Sequence, residues 1–283
     1  MNTFPTLNFL LKHQSPTAVL FDAVGTLYNE YGPIPGIGRC LTGLQQTTPI
    51  WVVTNNSTDP QSLMVKRLAT MGIIITEDQV LSSGLALGHD PVCRNLIQNK
   101  RVFVLGPERS YGYVQMANPA EIVSQIEASE VLVMTSTLDT WEAHDPLFEK
   151  IETFIKTNIG FPIICCNPDR FVMGQRGIKI PVVGYFAEIL EKCTPVVWAG
   201  KPHAAFLGLV QETLSKSGIT TDSNVFMIDD LIENLLAFQT HLGVSGVWVK
   251  DTGLGAELAV NETRPPFNQL TAILNAVSAK EEI

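Results

Sequence analysis

Asp22, in the run VLFDAVGTLYN, stands directly after a short apolar stretch and three residues before Gly25. A carboxylate delivered to a turn by a buried strand can attack phosphorus, forming an aspartyl phosphate and dividing hydrolysis into two easier steps. Gly25 would let the backbone pass close to a ligand there. Asp229 and Asp230, in FMIDDLIENLL, end another apolar run, with Asn234 one helical turn further on. Three carboxylates at one sheet edge repel unless a cation neutralises them, and hard oxygen ligands suit Mg²⁺. The plainer readings are an Asp22 that only caps a turn and an Asp230 that only caps the helix beginning near Leu231. Thr54, Asn55 and Asn56, in TNNST, offer hydroxyl, amide and backbone donors at a predicted helix N-terminus, which suits a phosphate. Read alone, TNNST is also a polar turn. Lys201, in AGKPHAAF, would supply the counter-charge that stabilises an oxyanion and keeps Asp22 ionised, although a lysine after a strand is more often solvated. His203 reads as structural.

These residues need a scaffold that gathers strand ends. Eight apolar runs serve: 18–22, 50–55, 102–106, 131–136, 162–166, 196–200, 225–230 and 246–250. Continuous apolar strands alternating with helical patterns predict an α/β fold with a parallel sheet covered on both faces, and such sheets bind ligands at their carboxyl ends. After the second run, Asp59 can cap and Pro60 can start a helix carrying Met64, Leu68 and Met71 on one face. Leu207, Val210 and Leu214 repeat the pattern after Lys201. Thr54 and Lys201 stand 147 positions apart, far more than a crossover needs, so the stretch between them should hold an inserted second domain. The expected division is 1–81 for the first part of the core, 82–195 for the insert and 196–283 for the rest of the core.

Composition narrows the partners. The 283 residues are 45% apolar and 17% charged, with 19 basic against 28 acidic side chains and a net charge of -9, which speaks against disorder, a nucleic-acid groove or an anionic membrane surface. A small phosphorylated ligand needs only one local cluster of donors. The five cysteines have no CxxC spacing and read as buried thiols of a reducing compartment; adjacent Cys165 and Cys166 would point to opposite faces of a strand. No run reaches 18 apolar residues and the first residues lack a basic leader, so a soluble, cytoplasmic protein is expected.

In this order, the segments at Asp22 to Leu27, Thr54 to Asn56, Lys201, and Asp229 to Asn234 resemble the four motifs of the haloacid dehalogenase superfamily. The insert, with CNPDR at 166–170 ahead of PVVGYFAEILEK and GKPH, is similar to the class IIA subgroup, which includes NagD-type, p-nitrophenyl phosphate and pyridoxal phosphate phosphatases; LGPERS at 105–110 and CNPD resemble one branch of that class. The resemblance implies a Rossmann-like doubly wound core with an α/β cap that closes over the substrate. It also implies Mg²⁺ held by Asp22, the Val24 carbonyl and Asp229, with Asp230 a further candidate. Asn167, Asp169 and Arg170 would face the substrate from the cap, and caps of this class often mediate homodimers.

One departure stands out. Phosphatases of this family usually carry a second Asp two residues after the nucleophile, as general acid for the leaving group, and here that residue is Val24. General acid catalysis is worth about 10² to 10⁴-fold. The expected function is therefore a Mg²⁺-dependent phosphatase of a small phosphorylated metabolite, slow on poor leaving groups. The alternative is a catalytically degenerate member that binds phosphate and metal or regulates. Carbon–halogen cleavage, a third reaction of the superfamily, is disfavoured because it has no use for clustered carboxylates.

Overall fold

The computed structural model describes residues 7–137, 145–220, 223–254 and 272–274. Its strands, in chain order, are β1 Ala18–Phe21, β2 Tyr28–Asn29, β3 Gly32–Pro33, β4 Ile50–Thr54, β5 Val80–Ser82, β6 Arg101–Leu105, β7 Glu121–Val123, β8 Val131–Met134, β9 Ile163–Cys165, β10 Phe171–Met173, β11 Lys179–Pro181, β12 Val196–Trp198, β13 Val225–Asp229, β14 Ser245–Val249 and β15 Ala272–Leu274. All eight expected apolar runs form strands. Two parallel sheets result, one of six strands in the order β15-β14-β13-β1-β4-β5 and one of five in the order β12-β9-β8-β6-β7. The hairpins β2–β3 and β10–β11 are antiparallel.

The six-stranded sheet is doubly wound, because alternate residues of each strand serve different cores. Val19, Phe21, Val52 and Ile228 face helices Leu7–Gln14, Ile37–Leu44 and Gln61–Thr70, whereas Leu20, Val53, Met227 and Trp248 face Ala204–Lys216 and Ile232–Leu242. Met64 and Leu68 are buried on one helix, and Leu207, Val210 and Leu214 on another, as their spacing predicts. Strand order reverses at β1: the chain runs outward through β4 and β5, then resumes on the other side with β13. Such a reversal opens a crevice at the carboxyl ends.

The five-stranded sheet is the inserted α/β cap. Cys165 and Cys166 lie in its two opposite cores, as adjacent strand residues must, and the described cysteines form no disulfide. Strand β12 pairs with β9 in this sheet, in the register Val196↔Ile163. Sheet pairing therefore carries the chain back to the core after Trp198, slightly beyond the expected junction at 195/196. Lys201 follows the last strand of the cap, not a strand of the core. A three-residue strand carries no signal of which sheet will take it up.

Candidate active site

Registry brings the first acids together. Phe21 pairs with Ile228, so Asp22 lies beside Asp229, and the Asp22 amide donates to the Ile228 carbonyl at 2.8 Å. Lys201 reaches between them from the returning chain, its Nζ donating to Asp22 Oδ1 at 2.7 Å and to Asp229 Oδ2 at 2.9 Å. The same Asp229 oxygen accepts from Asn234 Nδ2 at 3.1 Å, and its Oδ1 accepts from the Leu231 amide at 2.8 Å. All four of these polar side chains are buried. Burial would lower the Lys201 pKa, but Asp22 and Asp229 outweigh it and hold the ammonium charged. Burial pushes the Asp22 carboxyl up to about 7, with Lys201 opposing and Asp229 reinforcing the rise.

Asp230 completes a trio whose oxygens lie within 4.8 Å of one another. It does not cap the following helix: that helix spans Ile232–Leu242, and Asp230 Oδ2 instead accepts from the Leu254 amide at 2.8 Å. Gly25 has its reason here. At φ +94° it packs on this carboxylate, and a Cβ would sit 2.5 Å from Asp230 Cγ, so the close approach is to a neighbouring acid. The trio fits a divalent cation on two counts. Lys201 offsets only one of the three negative charges, and Asp22 Oδ2 is buried with no hydrogen-bond partner. Val24 lines the cavity beside them and is 38% exposed.

Thr54 ends β4, and Asn55 and Asn56 follow it, but not as the start of a helix. The helix is Gln61–Thr70 with Pro60 at its N-cap, and Asp59 makes no capping bond. The three side chains shape the turn. Asn55 accepts from the Lys201 amide at 2.8 Å and donates to the Lys201 carbonyl at 3.1 Å and to Asp169 Oδ1 at 2.9 Å, so it fixes the lysine and ties core to cap. Asn56 Oδ1 accepts from the Thr58 and Asp59 amides. Thr54 Oγ1 accepts from the Asn56 amide at 3.2 Å, which leaves its hydroxyl proton for a ligand. Gly200 permits the packing above this turn: a Cβ there would lie 2.6 Å from Asn55 Oδ1.

A cavity of about 470 Å³ joins these residues to the cap, with Asn167, Asp169 and Phe171 to Met173 on its far wall. Burial raises the Asp169 carboxyl to about 6, with Lys201 and Asn55 opposing. Arg170 points elsewhere. It pairs with Glu188 at 2.9 Å, packs over Phe171 and does not line the cavity. His203 stacks on Trp198, in keeping with a structural role.

One group at the cavity plays a part that its place in the sequence does not suggest. Asp59, expected as a helix cap, is a buried acid gripped by two arginines that line the cavity: Arg67 NH2 meets Oδ2 at 2.8 Å and Arg109 Nε meets Oδ1 at 2.8 Å. The only sequence signal was Arg109 itself, a basic residue just after an apolar run, and its partner is 50 positions away.

A family model described as haloacid dehalogenase-like hydrolase matches residues 19–118. The chain is 26% identical over 263 residues to the dihydroxyacetone phosphatase of Corynebacterium glutamicum, covering 92% of this chain and 88% of that one. Among solved structures, a possible sugar phosphatase from Cytophaga hutchinsonii superposes over the whole of both chains with a TM-score of 0.78 at 19% identity. A glycerol phosphate phosphatase from Mycobacterium tuberculosis, in complex with magnesium, gives a TM-score of 0.71 at 20% identity over 92% of this chain and 74% of that one. At those identities the two structural matches establish the fold. Among the described residues, no helix is long and apolar enough to cross a membrane.

Proposed function

We propose that the chain, which a haloacid dehalogenase-like hydrolase model matches over residues 19–118, is a Mg²⁺-dependent phosphatase of a small phosphorylated metabolite, with Asp22 as nucleophile. The observation that carries this reading is the buried Asp22 carboxylate, with Oδ1 held by Lys201 and Oδ2 without a partner, beside two further acids. The activities named for the relative and for the structural neighbours, and the magnesium bound to one of them, support it.

Asp22, Asp229 and Asp230 would hold the cation, which when bound neutralises phosphate charge and draws the Asp22 carboxylate into its ionised form. Thr54 and the backbone of the following turn receive the phosphate, with Lys201 as fixed counter-charge. Asp22 attacks phosphorus, the bond from phosphorus to the ester oxygen breaks, and the alcohol departs. Water then attacks the phosphoryl group and releases Asp22. Because Val24 has no proton to give, an alkoxide leaving group must take its proton from water. Turnover should therefore be fast only for acidic leaving groups such as p-nitrophenol.

Val24 equally favours the second reading, a degenerate member that binds metal and phosphate without useful turnover. The deciding assay is release of p-nitrophenol and of phosphate from a metabolite panel, with Mg²⁺ or with EDTA. The phosphatase reading expects Mg²⁺-dependent turnover well above an Asp22→Asn control; parity with that control across the panel would leave the binding reading.

A further inference from the structure

We propose that the ester this site takes is an aryl phosphate, a phosphate carried on the hydroxyl of an apolar aromatic ring, and that the ring seats between the turn after Asp22 and the cap hairpin β10–β11. This rests on the phosphatase reading and names the substrate class of the same site. On the core side the seat is Val24, Tyr28 and Leu254; Val24 and Tyr28 bridge to one another across a turn in which the Gly25 amide donates to the Tyr28 carbonyl at 2.7 Å. On the cap side it is Phe171, Val172 and Met173. Val24 is exposed and the other five are half-buried, so these apolar surfaces line the cavity while the rest of the chain covers them only in part. Apolar walls with a few fixed polar groups at one end are the usual build of a cavity that holds an apolar ligand.

The polar side chains of the same cavity are largely engaged with the protein. The Asn29 and Asn167 side-chain oxygens accept from the Tyr31 and Asp169 amides, each at 2.9 Å. Asn55 bonds Asp169, and Arg67 and Arg109 grip Asp59. The hydroxyls of a sugar or polyol would have to compete with these bonds, whereas a ring needs only apolar contact.

Residue 24 turns that shape into a chemical class. As the Asp22 oxygen bonds to phosphorus, the bond from phosphorus to the ester oxygen breaks and its electron pair leaves on that oxygen. With valine at position 24 no side chain there hands over a proton, so the departing oxygen must carry the charge by itself. An aliphatic alkoxide does this poorly, and a phenolate spreads the charge into its ring. The same ring is what the apolar walls accept, so the absent proton donor and the apolar seat, two separate features of the cavity, point to one leaving group. Water then attacks the phosphoryl group, releasing inorganic phosphate and Asp22, and the phenolate takes a proton from solvent.

Binding is read first and without turnover, by calorimetric titration of 2-naphthylmethylphosphonate and of 3,4-dihydroxybutylphosphonate into the wild-type chain with Mg²⁺. Neither is hydrolysed, and one carries an aromatic arm where the other carries a diol. The aromatic phosphonate should bind at least about 10-fold more tightly, the worth of about two buried CH₂ groups, and Phe171→Ser should erase most of that preference. Phe171 also packs on Tyr185, so Met173→Gln is the companion substitution, expected to cut the preference about 3-fold. Equal affinities in the wild type, or a preference that survives both substitutions, overturn the seat. Turnover is read second, on phenyl phosphate and cyclohexyl phosphate, which are alike in size and apolarity and differ in the acidity of the alcohol. There kcat/KM should favour the phenyl ester by about 10²-fold or more, and equal values overturn the aryl assignment. An aromatic preference in binding, with neither ester turned over above the Asp22→Asn control, keeps the seat as a binding site and fails the phosphatase reading. Mg²⁺-dependent turnover without an aromatic preference in binding keeps the phosphatase reading and fails the seat.

Discussion

The two walls of the cavity are built on different terms. On the core side, Asp22, Lys201, Asp229 and Asn234 are buried and cross-linked by hydrogen bonds of 2.7 to 3.1 Å, so their geometry is set before any ligand arrives. On the cap side, Asn167, Asp169 and Phe171 to Met173 are only partly buried, and the wall is joined to the core through a few contacts. Those contacts include Asn55 to Asp169, Arg109 to Asp59, and Ser57 Oγ donating to the Thr135 carbonyl at 2.5 Å. The contrast assigns phosphoryl chemistry to a rigid floor and recognition to a layer that can move or vary, as lids over reactive sites commonly do.

The largest expected effect belongs to the floor. Asp22→Asn should lower kcat by at least ~10⁴-fold on every ester, since removal of a nucleophile disables the reaction as a unit. An effect confined to some esters would blur the contrast. Lys201→Met should leave Asp22 and Asp229 as unpaired buried charges and cost about 3 to 5 kcal/mol of stability, read by urea unfolding in EDTA. Mg²⁺ should recover part of that loss, because the cation replaces the missing positive charge.

Much of the floor was legible in the sequence because it sits at the ends of long apolar runs. Asp22, Thr54 and Asp229 each terminate or directly follow a strand whose hydrophobicity fixes where it stops. Lys201 reads from sequence as following a core strand, whereas β12 belongs to the cap sheet, and such a short strand does not announce its partner. The cap wall was less legible. Arg170 shares a polar turn with Asp169, yet one faces Glu188 and the other the cavity, and turn sequence alone does not set that orientation. Asp59 read as a helix cap because Asp-Pro before an apolar periodicity is a helix-start signal; two arginines from distant segments claimed its carboxylate instead.

Two smaller effects would sharpen the comparison. Val24→Asp should raise turnover of alkyl phosphates by about 10² to 10⁴-fold while changing p-nitrophenyl phosphate far less, by restoring a proton donor where only poor leaving groups need one. An equal gain on both esters would point to a metal effect instead. On the cap wall, burial lifts the Asp169 carboxyl from 3.8 to about 6, so between those values the folded chain holds a proton that the unfolded chain has released. Stability from this group is therefore present below about pH 4 and declines as pH rises toward 6. Asp169→Asn, which keeps an acceptor for Asn55, should flatten that part of the urea-midpoint profile; an unchanged slope would place the titration elsewhere.

The proposed mechanism turns on Asp22 taking the phosphoryl group. Acid quenching during turnover of p-nitrophenyl phosphate with Mg²⁺, followed by peptide mass spectrometry, tests it directly. A phosphoryl adduct is expected on the peptide containing Asp22, and none when EDTA replaces Mg²⁺. Full turnover in the Asp22→Asn variant, with no adduct at residue 22 in the wild type, would contradict it.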